Sequence, residues 1–149
     1  MTVLIRAIEN TDRTSWDALY ASYAEFYQVE QTAQMRGAVW EWLMDSAHEV
    51  NAFVAVVDGE LVGLAHYRQF ARPLAAGLGG FLDDLFVSPN ARGLKVGDAL
   101  IAAIKVEARN RSWGIVRWIT ADDNYRARGV YDQLAKRTSW VTYDMDVEG

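Results

Sequence analysis

The chain has 149 residues, of which 51% are hydrophobic, and its formal net charge is -5 at pH 7. This size and apolar content suit a single compact domain over residues 1–149, and the acidic balance argues against general binding to nucleic acid. The chain has no cysteine for disulfides, thiolate metal sites or nucleophilic catalysis, and it shows neither a long apolar run nor a signal peptide, so we expect a cytoplasmic protein that does not bind membranes.

The N-terminal third predicts a strand followed by two helices. Residues 3–8 alternate as a weak strand, Asp12 or Thr14 caps a helix that extends to residue 27, and Thr32 starts a second helix. Both helices are rich in aromatic side chains, which indicates core packing. The alternative is that some of them line a pocket for a cationic amine, namely Tyr20, Tyr23, Tyr27 or Trp40.

The middle of the chain predicts a hairpin, a loop and a third strand of the sheet. Residues 51–57 and 60–67 form the hairpin, because Asp58-Gly59 suits the positive φ values of a type I′ turn. Pro73 and a glycine cluster then indicate a loop before a strand at residues 81–87. The cluster comprises Gly77, Gly79 and Gly80.

The last part of the chain predicts a βαβ unit, a further helix and a final strand. A helix at residues 97–111 connects the strand at 81–87 to a strand at 115–121, so these two strands should be parallel. Residues 124–135 predict another helix, and residues 140–147 alternate like a strand. The fold class is therefore α/β, with a mixed, mostly antiparallel central sheet, one parallel pair and flanking helices.

A glycine-containing loop opens directly onto the helix at residues 97–111. Such a loop presents free backbone N–H groups at a helix N-terminus, where phosphate binds well. We therefore expect a phosphate-bearing ligand at this point of the chain. The residues expected to bind it are Arg92, Gly93, Leu94, Lys95, Val96, Gly97 and Asp98.

A second motif lies on the following helix. Asn124, Ala127 and Tyr131 are spaced i, i+3 and i+7, so they fall on one helical stripe. Asn is a favoured N-cap, the small Ala127 lets a ligand pass close to the helix, and Tyr131 lies about 10 Å further along. A phenol in this position could deliver a proton deep in a cleft.

Together these segments resemble the GNAT superfamily of N-acetyltransferases. The superfamily loop pattern Arg/Gln-x-x-Gly-x-Gly/Ala corresponds to residues 92–97, with Lys95 where glycine is usual, and the helix pattern Asn-x-x-Ala-x-x-x-Tyr is matched at all three positions. The resemblance covers residues 80–145. Within the superfamily, the chain looks most similar to the branch of diamine, D-amino-acid and histone acetyltransferases.

The resemblance implies acetyl-CoA as co-substrate and a parallel strand pair that splays apart. In the family the pantetheine arm enters that gap like another strand, so the resemblance assigns the backbone of Leu85, Phe86 and Val87 to pairing with it. Arg92 and Arg126 would add charge to the phosphate site. For Lys95 we expect a negative φ, with the ammonium also facing the phosphates; a positive φ would instead introduce strain.

Direct acetyl transfer needs a base, an oxyanion donor and an acid. A backbone N–H near Phe86 or Val87 can polarise the thioester carbonyl. Tyr131 is the candidate acid for the departing thiolate, because a phenol with a pKa of about 10 stays protonated at neutral pH. The alternative for Tyr131 is a buried phenol that only hydrogen-bonds.

Two adjacent aspartates precede the predicted pantetheine strand residues. On a strand, Asp83 and Asp84 should point to opposite faces, so only one can face the cleft. The diamine-acetyltransferase branch has a glutamate base at the position of Asp83, which implies that the shorter Asp83 is a base acting through water or an anchor for the amine. We expect Asp84 to be structural and to cap a nearby backbone segment.

The distribution of charge also divides the chain. Residues 25–49 contain five acids and one base, whereas residues 92–137 contain ten Lys/Arg and five acids. This asymmetry fits a basic half for CoA phosphates and an acidic half for an amine, although solvated surfaces can produce it as well. His48 and His66 are expected to be structural or surface residues, and no cluster at ligand spacing predicts a metal site.

The sequence therefore predicts an acetyl-CoA-dependent N-acetyltransferase. Its acceptor would be a primary amine of a small molecule, polyamine or amino-acid-like, or an exposed protein amine. The alternative is a non-catalytic acyl-CoA-binding or sensing module. The open edge of a terminal strand at residues 140–147 further predicts a homodimer.

Overall fold

The computed structural model describes residues 2–148 and contains one five-stranded sheet in the order β1-β2-β3-β4-β5. Neighbouring strands are antiparallel except β4 and β5, which are parallel. The strands are β1 (Val3–Ala7), β2 (Val50–Val57), β3 (Glu60–Arg72), β4 (Gly77–Val87) and β5 (Val116–Arg117). The predicted mixed α/β fold with a parallel pair is confirmed.

Four α-helices accompany the sheet: α1 (Arg13–Phe26), α2 (Ala33–Met44), α3 (Val96–Asn110) and α4 (Tyr125–Leu134). The predicted start of α2 is confirmed, because the Thr32 side chain accepts a hydrogen bond from the Met35 N–H. Short 3₁₀ turns lie at Asn10–Asp12, Pro73–Ala75 and Pro89–Ala91.

The chain divides into two compact units at Ile119 and Thr120. The first unit contains the whole sheet together with α1, α2 and α3, and the second contains α4. The single domain expected over residues 1–149 stays a prediction.

The sheet of the first unit carries helices on both faces. On β3, Leu64 packs into a buried cluster with Trp16, Trp40 and other side chains of α1 and α2. The adjacent Gly63 faces α3, since a Cβ there would lie 3.0 Å from Val96. This alternation is the two-residue period of a strand that is covered on both sides.

The turn between β2 and β3 follows from its sequence. Asp58 and Gly59 have φ values of 51° and 81°, as a type I′ turn requires. The hairpin predicted from Asp-Gly is confirmed.

The glycine cluster predicted to lie in a loop is instead part of β4, so that prediction is wrong. β3 runs on to Arg72, and β4 begins at Gly77. Two of the three glycines allow close packing: a Cβ on Gly80 would lie 2.4 Å from the Trp113 ring, and one on Gly79 would lie 2.9 Å from Phe70. Glycine is therefore needed here for space, which a pattern of loop-forming residues does not reveal.

The two C-terminal strand predictions also need correction. β5 has only two residues, Val116 and Arg117, rather than the seven of residues 115–121. Residues 140–147 form no strand among the described residues, and Trp140 and Tyr143 are exposed there. Alternating residues become a strand only when their backbone pairs with another edge, so the dimer expected from this strand loses its structural basis and stays a prediction.

We predict that Gly80→Ala lowers the free energy of unfolding by about 1–3 kcal/mol, because the added methyl group must displace the buried Trp113 ring. Urea unfolding of the two proteins measures the difference. The matched control is Gly77→Ala, whose Cβ would be 3.8 Å from its nearest neighbour. Equal stability of the two variants would contradict this account of the glycine.

Candidate active site

The first unit contains a cavity of about 370 Å³ between the sheet and its N-terminal helices. Three carboxylates and one guanidinium lie among aromatic and apolar side chains on its wall. The lining residues are Tyr20, Val39, Trp42, His48, Glu49, Val50, His66, Arg68, Asp83 and Asp84. The Trp42 and His48 rings are stacked, with centroids 5.0 Å apart. The cavity is therefore strongly polar on the side of the sheet.

A β-bulge brings both aspartates to this cavity. His66 pairs with Asp84, whereas the next residue of β3, Tyr67, pairs with Leu82, so Asp83 is the extra residue of β4. A bulge interrupts the alternation of faces and redirects a side chain. The prediction that only one of the two aspartates faces the cleft is therefore wrong.

Asp83 is the accessible carboxylate of the pair. Arg68 Nε donates to it at 3.1 Å, and its side chain is 31% exposed. Burial raises the pKa of Asp83, and the charge and hydrogen bond of Arg68 oppose that rise. A carboxylate with a raised pKa is a stronger base, as the predicted role requires.

Asp84 is held in a buried hydrogen-bond network. The Tyr20 hydroxyl donates to Oδ2 at 2.8 Å, and His66 Nδ1 lies 2.8 Å from the same oxygen. Trp16 Nε1 donates to His66 Nε2 at 3.0 Å. Because an indole nitrogen only donates, His66 must accept at Nε2 and donate from Nδ1 to Asp84. The predicted structural role thus rests on side-chain partners, and the prediction of a backbone cap is wrong.

The network also shifts the pKa values of the carboxyl group of Asp84 and of two tyrosines. Burial disfavours the charged form of Asp84, but hydrogen bonds from His66, Tyr20 and Tyr23 outweigh it and lower the pKa. Burial and the negative charge of Asp84 raise the pKa of Tyr20 and Tyr23. His66 is 1% exposed, and both of its ring nitrogens have hydrogen-bond partners. The expectation of a structural histidine is confirmed.

The outer edge of β4 is open beyond its first residues. β5 pairs only with Gly80 and Phe81, and Leu82–Val87 have no strand partner on that side among residues 2–148. The Ser88 N–H donates a hydrogen bond to the carbonyl oxygen of Val62, a residue of β3, at 2.7 Å. Since amides alternate in direction along a strand, the N–H of Val87 points to the open edge and that of Phe86 toward β3. Of the two residues predicted to supply an oxyanion donor, Val87 is therefore the one whose N–H points to the open edge, and the role itself stays a prediction.

The loop before α3 has two residues with positive φ. Gly93 has φ 89° and Lys95 has φ 56°, so the expected negative φ at Lys95 is wrong. Lysine keeps the left-handed conformation for which the family usually has glycine. Within the described chain, the amides of Gly93, Lys95 and Val96 make no hydrogen bond, so this loop leaves donors available to an anion.

The second motif lies on α4 in the second unit. Asn124 is the N-cap, and its Oδ1 accepts the Ala127 N–H at 3.4 Å. Ala127 and Tyr131 are partly buried, and Arg126 is exposed. The predicted cap and helix are confirmed, while the catalytic role of Tyr131 stays a prediction.

A sequence model described as the Acetyltransferase (GNAT) family matches residues 16–135. The chain belongs to the GNAT acetyltransferase family. The predicted resemblance is confirmed, and the protein is an N-acetyltransferase. Within residues 2–148 of this GNAT protein, no helix is long and apolar enough to cross a membrane, and no group of three or more His, Asp or Glu side chains could hold a metal.

This GNAT chain is similar to two named acetyltransferases in sequence and to a solved acetyltransferase in fold. D-amino-acid N-acetyltransferase HPA3 of Saccharomyces cerevisiae is 25% identical over 143 residues, 95% of this chain and 89% of that protein. Aminoglycoside N(6')-acetyltransferase type 1 of Klebsiella aerogenes is 31% identical over 112 residues, 72% of each protein. The solved aminoglycoside N-acetyltransferase AAC(6')-Iy in complex with CoA shares the fold, with a TM-score of 0.83, 21% identity, and coverage of 98% of this chain and 95% of that one.

Sequence reasoning missed Arg68 and Trp42 as residues of the site. Arg68 lies one residue beyond the predicted end of its strand. Its ion pair with Asp83 also depends on the bulge, which the sequence does not reveal. Trp42 lies in the second predicted helix, whose aromatic residues indicated core packing. In the structure its side chain is 44% exposed and lines the cavity. A helical period identifies the covered stripe of a helix but not the side chains at its margin.

Lys95→Gly should raise the free energy of unfolding by up to about 1 kcal/mol, because relief of the left-handed backbone exceeds the added freedom of the unfolded chain. Lys95→Ala is the matched control, since it removes the ammonium but keeps a Cβ at φ 56°. Thermal or urea unfolding compares them. If alanine stabilises the protein as much as glycine, charge rather than backbone strain is responsible.

The network around Asp84 should make stability fall in acid. Because its folded-state pKa lies below the ordinary value of 3.8, its contribution is present above that value and is lost as the pH falls through the folded-state pKa. Asp84→Asn should therefore flatten the loss of unfolding free energy between about pH 5 and pH 2. Glu41→Gln, which removes an exposed carboxylate outside the network, should keep the wild-type slope; an unchanged slope in Asp84→Asn would refute the assignment.

Proposed function

We propose that this N-acetyltransferase uses acetyl-CoA and transfers the acetyl group directly to a primary amine of a small molecule. The observation that carries the proposal is the carboxylate-lined cavity at Asp83, which lies on the same strand as the open backbone edge of Leu85–Val87. One strand would thus bind the amine at one point and the acyl donor two to four residues later.

Asp83 is the residue proposed to bind the amine and to accept its proton. It is the accessible carboxylate of the cavity, whereas Asp84 is occupied by Tyr20 and His66. Asp83 would attract an ammonium group and, directly or through one water, accept a proton as the nitrogen attacks. Its raised pKa favours that transfer.

The open edge of β4 and the loop before α3 are proposed to bind acetyl-CoA, the acyl donor. Acetyl-CoA supplies the acetyl group, its pantetheine arm would pair with Leu85–Val87, and the Val87 N–H would polarise the thioester carbonyl. Its phosphates would bind the loop residues Arg92, Gly93, Leu94, Lys95, Val96, Gly97 and Asp98, with Asn124, Arg126 and Ala127 as further contacts. Support comes from the free loop amides and the family motif.

Tyr131 is the proposed acid for the departing sulfur. The support is its place in the Asn-x-x-Ala-x-x-x-Tyr pattern on α4, together with membership of the family. A phenol protonated at neutral pH can give its proton to a thiolate and regain one from solvent. A homodimer and a cytoplasmic location remain predictions from the sequence.

We predict that Tyr131→Phe and Asp83→Asn each lower kcat by at least about 100-fold while CoA still binds. Release of free thiol in the presence of an amine panel measures turnover, and calorimetric titration with CoA measures binding. Tyr125→Phe is the control on the same helix, because Tyr125 is 75% exposed and lies outside the pattern.

The outcomes separate the parts of the proposal. Unchanged turnover in Tyr131→Phe removes that phenol from the mechanism, and unchanged turnover in Asp83→Asn removes the carboxylate. Binding of CoA without thiol release for any amine would favour an acyl-CoA sensing module instead. No binding of CoA would refute the donor site.

A further inference from the structure

We propose that Arg68 binds a carboxylate of the acceptor, so that the substrate is an amino acid rather than a polyamine or an aminoglycoside. This inference rests on the proposed function and assigns the substrate class of the same cavity. It makes Arg68 a determinant of specificity.

The guanidinium of Arg68 has unused donors. It contacts Asp83 only through Nε, and neither of its terminal nitrogens makes a hydrogen bond to any described residue. Its carbon Cζ lies 4.9 Å from the centroid of the Phe81 ring, which fixes the position of the group. An arginine so held presents its two terminal N–H groups as a fork that matches the two oxygens of a carboxylate.

The Arg68–Asp83 pair is complementary to the charges of an amino acid. Arg68 Nε lies 3.1 Å from Asp83 Oδ2, and both side chains line the cavity. In an α-amino acid a single carbon separates the ammonium group from the carboxylate, so its two charges can face Asp83 and Arg68 at once. A polyamine has no anion that could pair with Arg68, and a second cation beside the guanidinium would be unfavourable.

The remaining wall suits an apolar side chain. Tyr20, Val39 and Trp42 also line the cavity, and its volume is about 370 Å³, enough for an amino acid of medium or large size. Glu49 also lines the cavity. It is the residue that a second ammonium would use if the acceptor were a diamine.

The transfer itself is unchanged by this assignment. The bound ammonium first loses one proton through Asp83 to solvent. The neutral nitrogen then forms a bond to the carbonyl carbon of the thioester, the C–S bond breaks, a second proton of the nitrogen passes to Asp83, and the sulfur receives a proton from Tyr131. The product is an N-acetylamino acid, which keeps its carboxylate but has lost the positive charge that Asp83 attracts. Loss of that attraction would favour product release.

The test compares acceptors with and without a carboxylate. Thiol release from acetyl-CoA is measured with the L and D enantiomers of common amino acids. The acceptors without a carboxylate are the corresponding amino acid amides, the corresponding decarboxylated amines, and spermidine. For the best amino acid, kcat/KM should exceed that of its amide by about 10- to 100-fold. In Arg68→Gln that ratio should fall to within about threefold, with the amide itself affected much less.

The ratio isolates the carboxylate because a change in Asp83 basicity would alter turnover of both acceptors equally. Arg72→Gln, on the same strand and outside the cavity, should keep the wild-type ratio, and retained CoA binding shows that each variant is folded. Preference for spermidine, or a ratio unchanged in Arg68→Gln, would overturn the inference while leaving the transferase intact. Turnover of no acceptor at all would overturn the proposed function itself.

Discussion

The hydrogen bonds that surround the Asp84 carboxylate are the constraint on which the site depends. Burying a carboxylate is costly unless it is hydrogen-bonded, and the partly buried Asp84 is bonded at Oδ2 by Tyr20 from α1 and by His66 from β3. Trp16 in turn fixes the tautomer of His66. The network ties the first helix to the centre of the sheet, so the cavity wall is rigid where the chemistry requires it.

The bulge at Asp83 divides the work of the two aspartates. Without it, Asp83 would point to the opposite face of the sheet from Asp84. With it, Asp84 is hydrogen-bonded by Tyr20 and His66, and its neighbour Asp83 faces the same cavity with Arg68 as its hydrogen-bond partner. Burial raises the pKa of Asp83, whereas hydrogen bonds from neighbouring side chains outweigh burial and lower the pKa of Asp84. Adjacent residues of one type thus have different surroundings, and the proposed reactive role belongs to the more accessible of the two.

The features that the sequence predicts well are those set by a few neighbouring residues. The Asp58-Gly59 turn, the Thr32 cap and the Asn124 cap depend on local backbone preferences and are all present. The features it mispredicts depend on distant partners. Gly80 is required by Trp113, the face of Asp83 is decided by its register with β3, and residues 140–147 form no strand within the described chain. The left-handed Lys95 shows that the loop conformation overrides a residue preference worth only about 1–3 kcal/mol.

The same reasoning explains how a family scaffold can change its acceptor. The open edge of β4 and the loop before α3 use backbone groups, which are insensitive to most substitutions. The acceptor cavity is instead built from side chains of α1, α2, β2, β3 and β4, and a single residue such as Arg68 changes the charge that it presents. Because the Arg68–Asp83 pair is partly exposed, solvent screens its contribution to folding. Selection at these positions can therefore act on the substrate with little consequence for the fold.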